Sequence, residues 1–364
     1  MLRLPLTLRC GRTPPRGFLG RRTLTTDPAG LYPTGPVPTA VAKRIGFAFD
    51  IDGVLLLGAR PLTPGIRTLR YLNDNKVPWI LLTNGGGKSE AARVADLSAK
   101  LEIDIALDQF VQSHTPFKLL ANKLSKVLVV GGDGDICRHV AHSYGFKDVV
   151  MPVDIIATNK SIWPFHRFSE ADLARAQPMT DAPIDGIFVY NDSRDWGCDT
   201  QIIVDVLLSQ RGQFGTRNDE LRQQVPIYFS NNDLLWANDY SLPRYGQGAF
   251  RACIESAYKE YTGADLRSVI IGKPFTETYD FADKVLREFR QTHGHTGELE
   301  RVYMVGDNPA SDIMGANSYG WKSMLVKTGV YREAEHRELV ATPDFYCEDV
   351  FNAVRQALKF EETV

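Results

Sequence analysis

Phe47-Ala48-Phe49-Asp50-Ile51-Asp52-Gly53-Val54 is the stretch on which the fold turns. A short apolar run over 45–50 ends on two carboxylates, Asp50 and Asp52, followed by a glycine. Carboxylates placed directly after a buried strand are costly unless something uses them. A divalent cation would neutralise them, freeing one to act as a nucleophile on phosphorus and the other as acid and base. Gly53 permits the sharp turn that would carry the loop over a ligand. The competing reading is an ordinary strand-to-turn boundary with aspartate turn chemistry.

Outward from this stretch, strand-like and helical runs alternate, the pattern of a parallel α/β sheet. Further strands are predicted at 77–83, 127–131, 184–190, 225–230, 268–271, 302–305 and 323–326. Helical spacing is read over 64–73 and from 89 to 101. In open parallel sheets ligands bind outside the carboxyl ends of the strands, and three more predicted ends carry polar chemistry. Thr83-Asn84-Gly85-Gly86-Gly87 puts a hydroxyl, an amide and three glycines together. Thr83 can bond a phosphoryl oxygen, and the glycine N–H groups can approach an anion closely. Lys273, between Gly272 and Pro274, would screen the attacking carboxylate and grip the phosphate. Asp307 ends a run as Asp50 does, with Asp312 five residues later, and it suits a hard cation such as Mg²⁺.

These four segments, in this order, resemble the haloacid dehalogenase superfamily. The resemblance implies a Rossmann-like core and assigns roles. Asp50 would become an aspartyl-phosphate and Asp52 would serve as general acid and then base. Thr83, Asn84 and Lys273 would bind the phosphoryl group. Mg²⁺ would sit on Asp50, the backbone carbonyl of Asp52, and Asp307, with Asp312 in support.

The spacing adds a domain. Asp50 and Thr83 are 33 residues apart, Lys273 and Asp307 are 34 apart, but Thr83 and Lys273 are 190 apart. A domain of roughly 150 residues fits that gap. The insertion point resembles subclass IIA, which carries a large α/β cap there. The expected organisation is a leader and linker at 1–40, core at 43–105 and 250–364, and cap at 106–249. Ser113-His114-Thr115-Pro116, Ser230-Asn231-Asn232-Asp233-Leu234-Leu235-Trp236 and Gly306-Asp307-Asn308-Pro309 are similar to the haloacid dehalogenase-like hydrolase domain-containing 5 family, which is associated with mitochondria. Two functions follow as expectations: a Mg²⁺-dependent phosphatase of a small phosphorylated metabolite, or a binding or scaffold protein of the same fold with little turnover. Neither reading excludes a homodimer through the cap. Asn232 and Arg244, near the chain's expected return to the core, are the candidates for contacting substrate; the asparagines could equally cap the next helix.

The remaining features bound the partners. A net charge of −2 over 364 residues gives no sign of a general nucleic-acid binder, and no apolar run approaches the ~20 residues that span a bilayer. The five scattered cysteines are odd in number, which speaks against a disulfide framework or zinc site. Up to Thr26 the chain carries six arginines and no acid or lysine, the composition of a mitochondrial presequence, and import into the matrix is expected. Gly131-Gly132-Asp133-Gly134-Asp135 reads as a cap turn, since it lacks a P-loop lysine. The seven histidines show no ligand pattern, and Trp163 and Trp236 read as cap core.

Overall fold

Ile45–Phe49 is buried at every position and lies at the centre of a six-stranded sheet. In this computed structural model, which describes residues 35–333 and 339–364, the sheet order is Phe345–Cys347, Lys322–Val326, Arg301–Gly306, Ile45–Phe49, Trp79–Thr83 and Phe110–Gln112. All neighbours are parallel. Side chains alternate across the central strand, as strand geometry requires. Phe47 and Phe49 pack with Leu69, Leu97 and Val354 on one face, whereas Ala48 packs with Ile80, Met304 and Leu286 on the other. Helices Thr63–Asp74, Glu90–Leu101 and Val350–Glu361 supply the first layer, and Thr276–Thr292 the second. Sheets covered on both faces require such continuously apolar strands.

Local chemistry sets the helix starts beside the site. Ser89 accepts from Ala92 N at 3.3 Å and caps Glu90–Leu101. Thr63–Asp74 begins with Pro64 in its first turn, where the missing N–H costs nothing.

A second parallel sheet runs Ser268–Ile270, Ile227–Phe229, Gly186–Val189, Lys126–Val130 and Asp148–Val150. The large insertion is therefore α/β, as the resemblance to subclass IIA implied. Its limits differ from the expected 106 and 249. Phe110–Gln112 still pairs with the first sheet, and Ser268–Ile270 belongs to the second. Helix Gln247–Thr262 sends Phe250, Ile254 and Tyr258 into the second core, so apolar burial holds it there rather than with the first sheet. Both sheets lie within one compact unit, residues 36–364.

Cys137, Cys198, Cys253 and Cys347 are unpaired; all but Cys253 are buried. Cys10 and the arginine-rich start lie outside the described residues. Among the described residues no helix is long and apolar enough to cross a membrane.

Candidate active site

The central strand is flanked on one side by Trp79–Thr83, the next strand of this sheet along the chain, and on the other by Arg301–Gly306, which the chain reaches only after the insertion. That reversal makes a crevice at the strand ends, and Asp50 and Asp307 stand on its two sides. Asp50 N donates to Val305 O at 2.9 Å, which locks the first acidic loop to the neighbouring strand. Gly53 has φ of +87°, and a Cβ there would collide with the Asp307 carboxylate. The loop thus needs glycine for both its conformation and the close approach.

Lys273 binds the acids together. Its Nζ donates to Asp50 Oδ1 at 2.7 Å and to Asp312 Oδ1 at 2.6 Å, and the lysine is 1% exposed. Asp312 is placed by the wide π-helical turn Pro309–Ile313, and its Oδ2 accepts from Asn308 N at 3.0 Å. Asp307 Oδ2 accepts from Val330 N at 2.6 Å, and its carbonyl from Tyr331 N at 3.1 Å. Carboxylate oxygens of Asp50, Asp307 and Asp312 all lie within 4.8 Å of one another. Three hard oxygen donors at this spacing are the chemistry of a site for a divalent cation.

The electrostatics follow from that crowding. Burial pushes Asp50 up to about 8, with Lys273 opposing and Asp312 adding to the rise. Asp307 is raised well above the carboxylate range by burial and then by Asp50 and Asp312. Burial also raises Asp52, and Arg93 partly offsets it. Burial disfavours the Lys273 ammonium, yet Asp312 and Asp50 together hold it above its ordinary range.

The second segment behaves differently from its expectation. Thr83 Oγ1 accepts from Gly85 N at 2.9 Å, and Gly87 N donates to His114 Nε2 at 3.0 Å. Two of the three glycine N–H groups are therefore committed inside the protein. The side chain of Asn84, a residue expected at the phosphate, holds Lys273. Its Oδ1 accepts from Lys273 N at 2.7 Å, and its Nδ2 donates to Lys273 O and to Asp233 Oδ2, both at 3.0 Å. No donor of that amide remains for an anion.

These groups face a cavity of about 230 Å³ whose opposite wall comes from the second domain: Asn191, Asp192, Asn231, Asp233 and Trp236. Asp50, Asp52, Thr83, Asn84 and Asp307 line it, and Lys273 and Asp312 lie directly behind. Asn232 and Arg244 are not among its lining residues. Asn232 Oδ1 accepts from Arg251 Nη2 at 2.9 Å. Arg244 is exposed in the short strand Arg244–Tyr245, with its guanidinium 4.5 Å over the Tyr240 ring. Asp233, from the same turn as Asn232, reaches in and accepts from both Asn84 and Asn308 Nδ2, the latter at 3.2 Å. Burial raises it to about 6. Trp236, read as core, lines the cavity through the hairpin that Leu235–Trp236 forms with Arg244–Tyr245. His114 was missed as well, its only signal being a place in the Ser113–Pro116 segment.

Comparison with known proteins agrees with this geometry. Residues 47–147 match the family model described as haloacid dehalogenase-like hydrolase, and residues 270–353 match a second model of that kind. The chain is 44% identical over 342 residues to a mitochondrial hydrolase of Saccharomyces cerevisiae, covering 87% of this chain and 96% of that one. It is 47% identical over 289 residues to a cardiolipin synthase (CMP-forming)/mitochondrial hydrolase fusion protein of Schizosaccharomyces pombe, covering 79% of this chain but 49% of the fusion. The glycerol phosphate phosphatase of Mycobacterium tuberculosis, solved in complex with magnesium, superposes with a TM-score of 0.54 at 20% identity, over 88% of this chain and 79% of that one. At that identity the likeness is one of fold.

Proposed function

Because the chain belongs to the haloacid dehalogenase-like hydrolases, we propose that it is a Mg²⁺-dependent phosphatase of a small phosphorylated metabolite, working in mitochondria. The observation that carries the reading is Lys273 bridging Asp50 and Asp312, with Asp307 inside the same 4.8 Å cluster, at the closed end of a cavity walled by two domains. A bound Mg²⁺, held by Asp50, the Asp52 carbonyl and Asp307, would supply charge neutralisation for the acids and the phosphoryl oxygens.

The residues themselves account for the rest of the chemistry. Lys273 takes one oxygen of Asp50 and leaves the other to attack phosphorus. As the new P–O bond forms, the ester bond breaks, and Asp52 gives its proton to the departing oxygen. The resulting aspartyl-phosphate is then attacked by water, whose proton returns to Asp52, releasing phosphate and restoring Asp50. The Thr83 hydroxyl accepts from Gly85, so its own hydrogen is available to a phosphoryl oxygen. The names of the two fungal relatives and the arginine-rich start support the mitochondrial part.

Release of nitrophenolate from p-nitrophenyl phosphate, with and without Mg²⁺, tests the activity. Wild type should turn over only with the cation, and Asp50→Asn should not turn over at all. A correctly folded wild type that releases nothing, from this ester and from a panel of phosphorylated metabolites, leaves the binding-protein reading instead. A reporter fused to residues 1–40 should enter mitochondria; a cytosolic reporter removes that part.

A further inference from the structure

A buried polar chain runs between the glycine loop and the second domain, and the hydrolytic steps do not use it. Gly87 N donates to His114 Nε2 at 3.0 Å, His114 Nδ1 lies 2.7 Å from the Tyr144 hydroxyl, and that hydroxyl donates to Glu90 Oε1 at 2.8 Å. Since Nε2 accepts, the ring proton sits on Nδ1 and is donated to Tyr144. The chain of donors therefore has one direction, ending on a carboxylate. Glu90 is held in turn by Thr115 Oγ1 at 3.0 Å and Lys118 Nζ at 2.9 Å. His114 is 0% exposed, and burial lowers it to about 4, so the ring stays neutral at working pH.

This chain begins and ends on one part of the fold and passes through another between. Gly87 and Glu90 flank the start of helix Glu90–Leu101 on the first sheet, whereas Tyr144 closes helix Ile136–Ser143 beside the second. Packing makes the same connection. The His114 ring lies 5.2 Å from that of Tyr190, which precedes the cavity residues Asn191 and Asp192. A methyl group on Gly86 would meet His114 Cδ2 at 2.6 Å, and one on Gly87 would meet Asn191 Cγ at 2.8 Å. Thr83 and His114 take the N–H groups on either side of Gly86. Among the described residues Gly86 N has no protein acceptor, and Gly86 lines the cavity.

We propose that His114 is a positioning residue: by accepting from Gly87 it holds the loop so that the Gly86 N–H remains available to the substrate anion, and the Tyr144 hydroxyl serves to keep the ring proton on Nδ1 so that Nε2 can accept. The kinetic consequence rests on the phosphatase reading; the structural one does not. Two near-isosteric substitutions separate positioning from bulk. In His114→Gln the amide oxygen can replace Nε2 as acceptor for Gly87. In His114→Asn the shorter side chain can meet Tyr144 but not Gly87.

The test uses the full chain with Mg²⁺ and p-nitrophenyl phosphate, together with hydrogen–deuterium exchange of the peptide covering 84–88 and a thermal midpoint for each variant. His114→Asn should raise KM by roughly 5- to 150-fold, the factor corresponding to one unsatisfied buried donor, and speed exchange in 84–88. His114→Gln should stay within a few-fold of wild type in both, at a thermal midpoint close to that of His114→Asn. Equal behaviour of the two variants in KM and in exchange overturns the proposal, because a purely space-filling histidine predicts no difference. If wild type hydrolyses nothing, the phosphatase reading fails and exchange alone decides: faster exchange in His114→Asn than in His114→Gln upholds the positioning role, and equal rates overturn it.

Discussion

Replacing Lys273 by Met tests whether charge compensation, rather than packing, holds the acidic cluster together. The wild-type ammonium lies 2.7 Å from Asp50 and 2.6 Å from Asp312, with Asp312 fully buried. At an effective dielectric of about 20, each contact is worth about 6 kcal/mol of attraction. Desolvation of three buried charges offsets much of it. Methionine keeps most of the volume but leaves Asp50, Asp307 and Asp312 within 4.8 Å with no cation of the protein's own. Breaking a buried pair in this way costs about 3–5 kcal/mol. The sign with pH follows from the direction of the shifts. An acid raised in the folded state binds a proton that the unfolded chain has already lost, so its contribution to stability falls as pH climbs from about 4 toward the folded value. Asp50 is already raised to about 8 with Lys273 present, and losing the lysine raises it further. The variant's deficit should therefore be small at pH 5 and largest near pH 8. Urea unfolding of wild type and Lys273→Met, in chelator at both pH values, reads the difference directly. Added Mg²⁺ should recover stability at pH 8. Superimposed curves at pH 8 would refute the reasoning, since an isolated packing change has no reason to be silent at the site where the charges are closest.

Three further outcomes follow from the same geometry. Asp307→Ala should raise the Mg²⁺ concentration needed for half-maximal activity, with excess Mg²⁺ restoring part of the rate; identical titrations for wild type and variant would remove Asp307 as a ligand. Because a cation must displace the protons on Asp50, raised to about 8, and on Asp307, also raised, apparent Mg²⁺ affinity in wild type should fall by about tenfold or more per unit as pH drops below 8, and a flat profile would contradict this. Asp52→Asn should lower kcat by roughly 10²–10⁴, and unchanged turnover would exclude its acid–base role. In the second domain, burial raises Asp199 to about 7, well ahead of the opposing Ser193 contact. Its contribution to wild-type stability should fall by up to about 4 kcal/mol between pH 4 and 7, and Asp199→Asn should make the slope shallower by that amount in urea titrations.

What the sequence disclosed, and what it hid, divides along the range of the interactions. Strands such as Ile45–Phe49 and, after its first residue, Lys126–Val130 are buried on both faces with no charged side chain, so the apolar run announces itself. Phe110–Gln112, Asp148–Val150 and Phe345–Cys347 are three-residue edge strands, too short to show a period, and they went unread. Missing the first of them put the domain boundary too early. Ser268–Ile270 was read as a strand, but nothing local says which sheet an edge strand joins. Asp50, Asp52 and Asp307, proposed as nucleophile, acid and cation ligands, were legible because each stands next to a strand end. The tasks of Asn84 and Asp233 were not, since their partners lie 189 and 149 residues away. An amide after a strand looks like a ligand to phosphate until the lysine backbone it clamps is seen beside it. Histidine 114 shows the same limit more sharply. A lone buried histidine has no sequence period, and its meaning depends on a glycine 27 residues before it and a tyrosine 30 residues after. The residues proposed to perform the chemistry thus lie at strand ends that the sequence announces, whereas those that hold them in place are distributed over both domains. That is why Asn232 and Arg244, chosen for nearness to the chain's return, lie off the cavity, while Asp233 beside them is tied into it by two asparagines of the core.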